Sequence, residues 1–223
     1  MAYDIFFLSY NEPNAVTHWN ALKRIAPTAK RIDNVSGIYS AHQACAKKCM
    51  TSHFFVVDAD NDITHPDVFK FQIPEWDKKY VHLWYAQNAV NDLEYGWGGL
   101  KLFPKKLILA NNPVGVDMTT SFELKIIPEV VSISRFNSSA YEAWRSGFRE
   151  VAKLTVGVFQ NQNIDENNER ISIWTTTGMD RQYGDWCIQG AKDGRAYAES
   201  LADVSLVNDW GWLEAYYTEK YGV

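Results

Sequence analysis

The sequence has few cysteines, no excess of basic residues and no long apolar run. Cys45, Cys49 and Cys187 are too few for a disulfide framework, and no further ligands follow at a metal-binding spacing, so we expect buried free thiols in a reducing compartment. A net charge of −5 carries no signature of non-specific nucleic-acid binding. The first residues enter a predicted strand without a signal-peptide pattern, and no apolar run approaches the length of a membrane span. We therefore predict a cytoplasmic protein with no membrane partner; its oligomeric state is left open.

The length and composition are those of a globular domain. The chain has 223 residues, of which 46% are hydrophobic and 22% charged. A chain of this size buries one sizeable core. We find neither internal repeats nor an interdomain linker, so we predict a single domain spanning residues 1–223.

The first third alternates strands and helices. Residues 4–9 and 53–57 are near-continuous apolar runs, as expected of strands buried on both faces. Helical spacing predicts helices over 14–26, with Val16, Trp19, Leu22 and Ile25 inward, and over 38–50, and a short strand lies at 29–32. This order predicts an α/β fold with a mostly parallel central sheet flanked by helices. Ligands bind such sheets beyond the carboxyl ends of the strands, which directs attention to residues 9–13 and 58–62.

The pattern is less regular in the rest of the chain. Strands are predicted at 80–85, near 100–103 and at 124–134, the last as one strand or as two split by Pro128. A capping box, Ser139 with Glu142, opens a long helix. Residues 161–169 are predicted to be a polar surface loop, and helices are predicted over 183–198 and 210–221.

The sharpest motif is Asp58-Ala59-Asp60, directly after the third predicted strand. Alternate residues at a strand end direct two carboxylates to one side of the turn, where Mn²⁺ or Mg²⁺ keeps positions free for substrate phosphates. Asp62 is either a third ligand or an exposed turn residue. Haloacid-dehalogenase-like phosphatases also carry such a triplet, but usually after their first strand, and with Thr or Val where this chain has Asp62. That alternative is disfavoured.

The strand–triplet order, the early loop 10–13 and a later glycine–aromatic loop resemble glycosyltransferases of the GT-A (Rossmann-like) fold. More specifically, the chain resembles a family of short glycosyltransferase-like proteins encoded by tailed bacteriophages. The stretches that carry the resemblance are YDIFFLSYNEPNA, AKRIDNVSGIYSAHQACA, FFVVDADNDI, EYGWGGLKLFPK, VDMTTSFE, FNSSAYEAWRSGFREVAKL and YGDWCIQGAKDG. They span nearly the whole chain.

The resemblance implies a nucleotide-sugar donor, a UDP-sugar such as UDP-arabinose or UDP-glucose, and a DNA acceptor carrying 5-hydroxymethylcytosine. The nucleotide-binding half is expected over about 1–95 and the acceptor half over about 96–223. The implied donor-binding residues are Ser9, Tyr10, Asn11, Glu12, Asp33, Val35, Gly37, His42, Asp58, Ala59 and Asp60. For His42 and Glu12, packing on a helix face and helix capping are the alternatives.

The expected acceptor-binding residues are Trp97, Gly98, Gly99, Lys101 and Arg145. Glycines permit close backbone approach and an indole offers a stacking face, although a tight turn explains the same residues. Lys101 with Lys105 and Lys106 is either a basic patch or a solvated surface. Arg145 and Arg149 share a helix face, where they meet phosphate or pair with Glu142 and Glu150.

Asp117, in a polar loop, is the predicted catalytic base of an inverting reaction. An Asx turn is the alternative, and a retaining enzyme needs no such base. No histidine follows His82, so the third metal ligand is Asp185 or water. Two further functions stay open: transfer to a glycan or protein acceptor, and a non-catalytic binding module on the same fold.

Overall fold

The computed structural model describes residues 2–96, 99–110, 118, 121–158 and 163–222. These residues form two compact units. The first comprises Met1–Asn88, Glu94–Val114 and Ser121–Arg135, and the second comprises Ala89–Leu93, Gly115–Thr120 and Phe136–Val223. The prediction of a single domain with halves meeting near residue 96 stays a prediction.

The first unit contains one sheet. Its strands are β1 (Asp4–Ser9), β2 (Lys30–Asp33), β3 (His53–Asp58), β4 (Asn61–Ile63), β5 (Val81–Asn88), β6 (Glu94–Tyr95), β7 (Lys101–Pro104) and β8 (Leu124–Ser134). The order is β2-β1-β3-β7-β5-β8-β4, with β6 paired to β5. The pairings make β2, β1, β3, β5 and β8 run in one direction, whereas β7, β4 and β6 run in the other. The predicted α/β class and mostly parallel sheet are thus confirmed for the described residues.

Helices of the first unit are α1 (Ala15–Ile25), α2 (Ile38–Lys48) and α3 (Lys105–Ala110). Successive strand residues point to opposite faces, and both faces of β1 and β3 are apolar. On one face, Phe7 and Phe55 share a core with Ala15 and Leu22 of α1. On the other face, the ring of Phe54 lies 5.7 Å from that of Phe6. The continuous apolar runs follow from this two-sided burial.

Two details of the first unit differ from or refine the sequence prediction. Pro128 does not split 124–134 into two strands: β8 pairs with β5 on both sides of Pro128, and the register shifts between Ile127 and Val130 and again between Val130 and Ser132. Proline has no N–H to give to the ladder, so it sits in a bulge. The predicted inward stripe of α1 was wrong at two positions, because Val16 and Ile25 are exposed whereas Ala15, His18 and Leu22 are buried.

The second unit is helical: α4 (Ala140–Thr155), α5 (Ile164–Thr176), α6 (Gly184–Glu199) and α7 (Trp210–Tyr221). Ser139 is the N-cap of α4, because it accepts a hydrogen bond from the Glu142 amide at 3.1 Å, and this confirms the first of the two bonds of the predicted capping box. The polar loop predicted at 161–169 is wrong from residue 164 onward. Asn163 caps α5 by accepting from the Glu166 amide, and acidic residues in the first turn suit the helix dipole.

An aromatic core holds the second unit together. Trp144 and Phe148 of α4 pack against Val207, Leu213 and Tyr217. Asp193 of α6, 4% exposed, ties the helices by accepting hydrogen bonds from the Trp144 indole, Gln189, Lys220 and the Tyr221 hydroxyl. The dense C-terminal aromatics therefore serve packing. Among the described residues, no helix is long and apolar enough to cross a membrane.

Candidate active site at the carboxyl edge of the sheet

The candidate site lies where β1, β2 and β3 end. Leu8 is in register with Asp58, and Ser9 with Asp33. Because the three strands are parallel, their carboxyl ends share one edge of the sheet, which is the usual ligand-binding edge of such folds. The structure thus brings together three of the predicted donor-binding residues, Ser9, Asp33 and Asp58.

The Asp58-Ala59-Asp60 turn is held from three sides. The Ala59 carbonyl accepts a hydrogen bond from His18 Nδ1 of α1 at 2.6 Å, in a buried position. The Asp60 carbonyl accepts from the Arg135 amide at 2.6 Å. Asn61 is 3% exposed, and its side-chain oxygen accepts from the hydroxyls of Ser132 and Ser134 on β8. These contacts fix the backbone that carries the two carboxylates.

Acidic charge accumulates at this turn. Burial, together with the negative charges of Asp58 and Glu12, raises the pKa of Asp60 from 3.8 to about 7. Like charges held this close destabilise the ionised form. A divalent cation offsets such repulsion, so the charge distribution fits the predicted Mn²⁺ or Mg²⁺ site.

Lys101 occupies an unexpected place. The basic-patch prediction treated it as a surface residue, but it is 6% exposed. Its ammonium donates to Asp58 Oδ2 at 2.7 Å and to the Gly99 carbonyl at 3.1 Å. Lys105 also points inward, donating to the Cys49 carbonyl, and of the three lysines only Lys106 is exposed. The side chains therefore do not form the predicted basic patch.

The loop after β1 is ordered by its own polar groups. Ser9 donates to Asp33 Oδ1 at 2.5 Å and accepts from Arg31 Nε at 2.9 Å. Glu12 accepts from the Tyr10 amide at 2.6 Å. Asn11 takes a left-handed φ of 63°, a conformation that asparagine tolerates better than most residues. The predicted donor loop thus has a defined shape at the carboxyl edge of the sheet.

The remaining donor predictions differ in accessibility. Val35 is half-buried, and Gly37 is exposed with a φ of 86°, which favours glycine. His42 is 2% exposed, and its ring packs on Phe103 at 4.9 Å. Its Nδ1 donates to the Ile38 carbonyl, so Nε2 is the unprotonated nitrogen. Burial lowers the pKa of His42 to about 4. Helix-face packing, the alternative weighed for His42, describes this environment.

The acceptor predictions fall in different places. Trp97 and Gly98 lie outside the described residues, as does Asp117. At Gly99 a Cβ would lie 2.1 Å from the Trp84 carbonyl oxygen, so glycine is required for contact with β5. Arg145 belongs to the second unit, where it is 7% exposed, pairs with Glu142 and lies over the Trp210 ring at 3.7 Å. The pairing alternative describes Arg145 better than an open phosphate contact.

The metal ligands are not a complete protein cage. The described residues contain no group of three or more His, Cys, Asp or Glu side chains that could hold a metal ion. Asp185, the predicted third ligand, is an exposed residue in the first turn of α6 in the second unit. Asp58 and Asp60 fit a cation whose other positions are filled by donor phosphates and water, as is common for Mg²⁺.

Sequence reasoning missed His18, Asn61 and Arg135 as parts of this site, and it assigned Lys101 to the acceptor rather than to Asp58. For His18 a signal existed, because Ala15, His18 and Leu22 have helical spacing and the histidine therefore lies on the buried face. For Lys101, Asn61 and Arg135 no local signal existed, since each acts on a residue that is distant in sequence.

Comparison with known proteins finds similarity among solved structures. No protein-family model matches the chain, and no curated protein matches its sequence. Among solved structures, the chain is similar to a mannosyltransferase, PcManGT from Pyrobaculum calidifontis, solved in complex with GDP-Man and Mn²⁺. The sequences are 12% identical, the match covers 98% of this chain and 82% of that one, and the TM-score is 0.47.

Proposed function

We propose that the protein is a metal-dependent glycosyltransferase that uses a nucleotide sugar. The observation that carries the proposal is the placement of Asp58 and Asp60 on a braced turn at the carboxyl edge of the parallel strands, beside the ordered loop Ser9–Glu12. Phosphate-bearing ligands bind at this edge in open α/β sheets. Two clustered carboxylates there suit a divalent cation shared with a diphosphate.

Each part of the edge has a distinct task in this proposal. Asp58 and Asp60 would hold Mn²⁺ or Mg²⁺, and the cation would supply positive charge to neutralise the nucleoside diphosphate as it leaves. The Ser9–Asp33 pair and the loop Tyr10–Glu12 position the nucleoside, with Val35 and Gly37 lining its pocket. His18 keeps the turn rigid through the Ala59 carbonyl.

The donor is proposed to be UDP-arabinose or UDP-glucose and the acceptor 5-hydroxymethylcytosine in phage DNA, with Asp117 as the base of an inverting reaction. The support for this finer assignment is the resemblance of the sequence stretches quoted above. The hydroxymethyl group projects into the major groove, so the base need not leave the stack.

The first experiment measures release of nucleoside diphosphate from UDP-sugars and GDP-sugars with Mn²⁺, with Mg²⁺ and with EDTA. We expect metal-dependent hydrolysis that falls at least a hundredfold in Asp60→Asn. Asp67→Asn is the matched control, because Asp67 is exposed and forms its ion pair with the equally exposed Lys70. Wild-type hydrolysis that is equal in EDTA, or retained in Asp60→Asn, would refute the proposal. A binding module would show no hydrolysis at all.

A second experiment separates the acceptors. The protein is incubated with labelled UDP-glucose or UDP-arabinose and with DNA that contains either hydroxymethylcytosine or plain cytosine. Label on the hydroxymethylated DNA alone supports the DNA assignment. Metal-dependent hydrolysis without label on either DNA rejects it and directs the search to glycan or protein acceptors.

A further inference from the structure

Lys101 is a buried cation inside a site that is proposed to bind a cation. Its side chain is 7% exposed, whereas that of its partner Asp58 is 31% exposed. A lysine is rarely buried to this extent unless it is paired. Its position next to the proposed metal site therefore calls for a functional explanation.

The sheet geometry aims Lys101 at Asp58. Lys101 of β7 lies opposite Val56 of β3. Val56 and Asp58 share a face of β3, because side chains alternate along a strand. The ammonium reaches along this face to Asp58 Oδ2, and its second bond holds the Gly99 carbonyl. One side chain thus connects the acidic turn to the end of the glycine-rich loop.

The ammonium also sets the charge of the edge. The negative charges of Asp58 and Glu12 act on Asp60, and the positive charge of Lys101 opposes them there. A divalent cation that arrives alone meets this ammonium and finds Asp58 Oδ2 already engaged. A cation that arrives with a diphosphate brings its own compensating negative charge.

We propose that Lys101 is a positioning residue that fixes Asp58 through Oδ2 and makes binding of the divalent cation depend on the donor diphosphate. This inference rests on the proposed function, since it concerns the same cation and donor. Coupling of this kind is reciprocal: the diphosphate tightens metal binding by the factor by which the metal tightens diphosphate binding.

The test measures Mn²⁺ affinity by calorimetry, without nucleotide and with saturating UDP or GDP. In the wild type we expect at least tenfold tighter Mn²⁺ binding with the diphosphate. In Lys101→Met we expect Mn²⁺ alone to bind about tenfold more tightly. The variant removes the repulsion between the ammonium and the divalent cation, a +1 and a +2 charge about 5 Å apart in a water-like medium. The factor by which UDP or GDP increases Mn²⁺ affinity should be smaller in this variant than in the wild type by the same amount. Lys101→Arg keeps the charge and should stay within about threefold of wild type in both measurements.

Lys30→Met is the matched control. Lys30 donates to Asp4 Oδ1, also at 2.7 Å, but at the opposite end of β1. Lys30→Met should leave Mn²⁺ affinity unchanged. If Lys101→Met does not fold, Lys101→Gln retains an N–H donor, loses the charge and carries the same prediction.

The outcomes separate the two proposals. Wild-type Mn²⁺ binding that depends on Asp60, with an affinity within twofold of wild type in Lys101→Met, overturns this inference and leaves the proposed function standing. An increase in Mn²⁺ affinity in Lys30→Met as large as that in Lys101→Met overturns this inference as well. Absence of any Asp60-dependent Mn²⁺ binding in the wild type overturns both.

Discussion

Replacing Gly194 with alanine should destabilise the second unit, although alanine is the better helix former. Gly190 and Gly194 lie one turn apart on α6 and face the backbone of α4. A Cβ at Gly194 would lie 2.1 Å from the Phe148 carbonyl oxygen, and one at Gly190 would lie 2.0 Å from the Trp144 carbonyl oxygen. Side-chain Cβ atoms essentially never come within 3.0 Å of another heavy atom, so the helices must separate by at least about 0.9 Å.

The magnitude follows from two opposing effects. Overpacking of this kind costs about 1–3 kcal/mol, and the separation also strains the bond between the Trp144 indole and Asp193. Alanine in place of a helical glycine returns about 0.5–1 kcal/mol. We therefore expect Gly194→Ala to lower the free energy of unfolding by roughly 1 to 2 kcal/mol.

Gly211→Ala provides the matched control. Gly211 is also helical, in α7, but there a Cβ would meet only Asp209 Oδ1, at 3.5 Å. We expect this variant to gain roughly 0.5 kcal/mol from helix propensity. Urea unfolding followed by far-UV circular dichroism measures both variants. If Gly194→Ala were as stable as the wild type, or if both variants shifted in the same direction, close contact between α4 and α6 would not be the reason for glycine here.

Three further perturbations have defined outcomes. The pKa of Asp60 is raised from 3.8 to about 7 in the folded protein, so the folded state disfavours the ionised carboxylate. The free energy of unfolding in EDTA should therefore fall by at most about 4 kcal/mol as the pH rises between these two values, and Asp60→Asn should flatten this dependence of stability on pH. Asp193→Asn should lower the free energy of unfolding by about 2–4 kcal/mol at neutral pH, because two of the four hydrogen-bond donors around the side chain would then face its NH2 group, which cannot accept. Burial raises the pKa of Asp193, but hydrogen bonds lower it overall, so the gap between variant and wild type should narrow on acidification, as pH-dependent urea titrations would reveal. His18→Ala should cost about 1–3 kcal/mol by leaving the Ala59 carbonyl unpaired and weaken Mn²⁺ binding several-fold in calorimetry; unchanged Mn²⁺ affinity would show that the turn does not need this brace.

Local patterns determined most of the elements in the first unit. The apolar runs at 4–9 and 53–57 predict strands buried on both faces, and the structure places β1 and β3 there. The same patterns place Ser9 and Asp58 at strand ends, because each run stops at the first polar residue. Parallel order then brings those ends to one edge, which made the candidate site predictable before any coordinates.

Sequence patterns did not predict the helix whose polar residues are buried against another helix. Residues 165–169 are all polar, yet they lie in the first turns of α5 because Asn163 caps it and because Asn167, Arg170 and Trp174 are buried. Arg170 is buried because it pairs with Glu150 of α4. A polar run whose partners lie on another helix cannot be distinguished from a loop by composition.

The sequence by itself determined the strand–helix order, the position of Asp58 and Asp60 at the end of β3, and the capping of α4 by Ser139. Each of these depends on neighbours within a few residues. Only the tertiary structure placed His18 under Ala59 and Lys101 against Asp58, contacts that span 41 and 43 residues. Whether Lys101 is a solvated lysine or a buried counter-charge is decided by which strand lies beside β7, and that pairing is a property of the whole sheet.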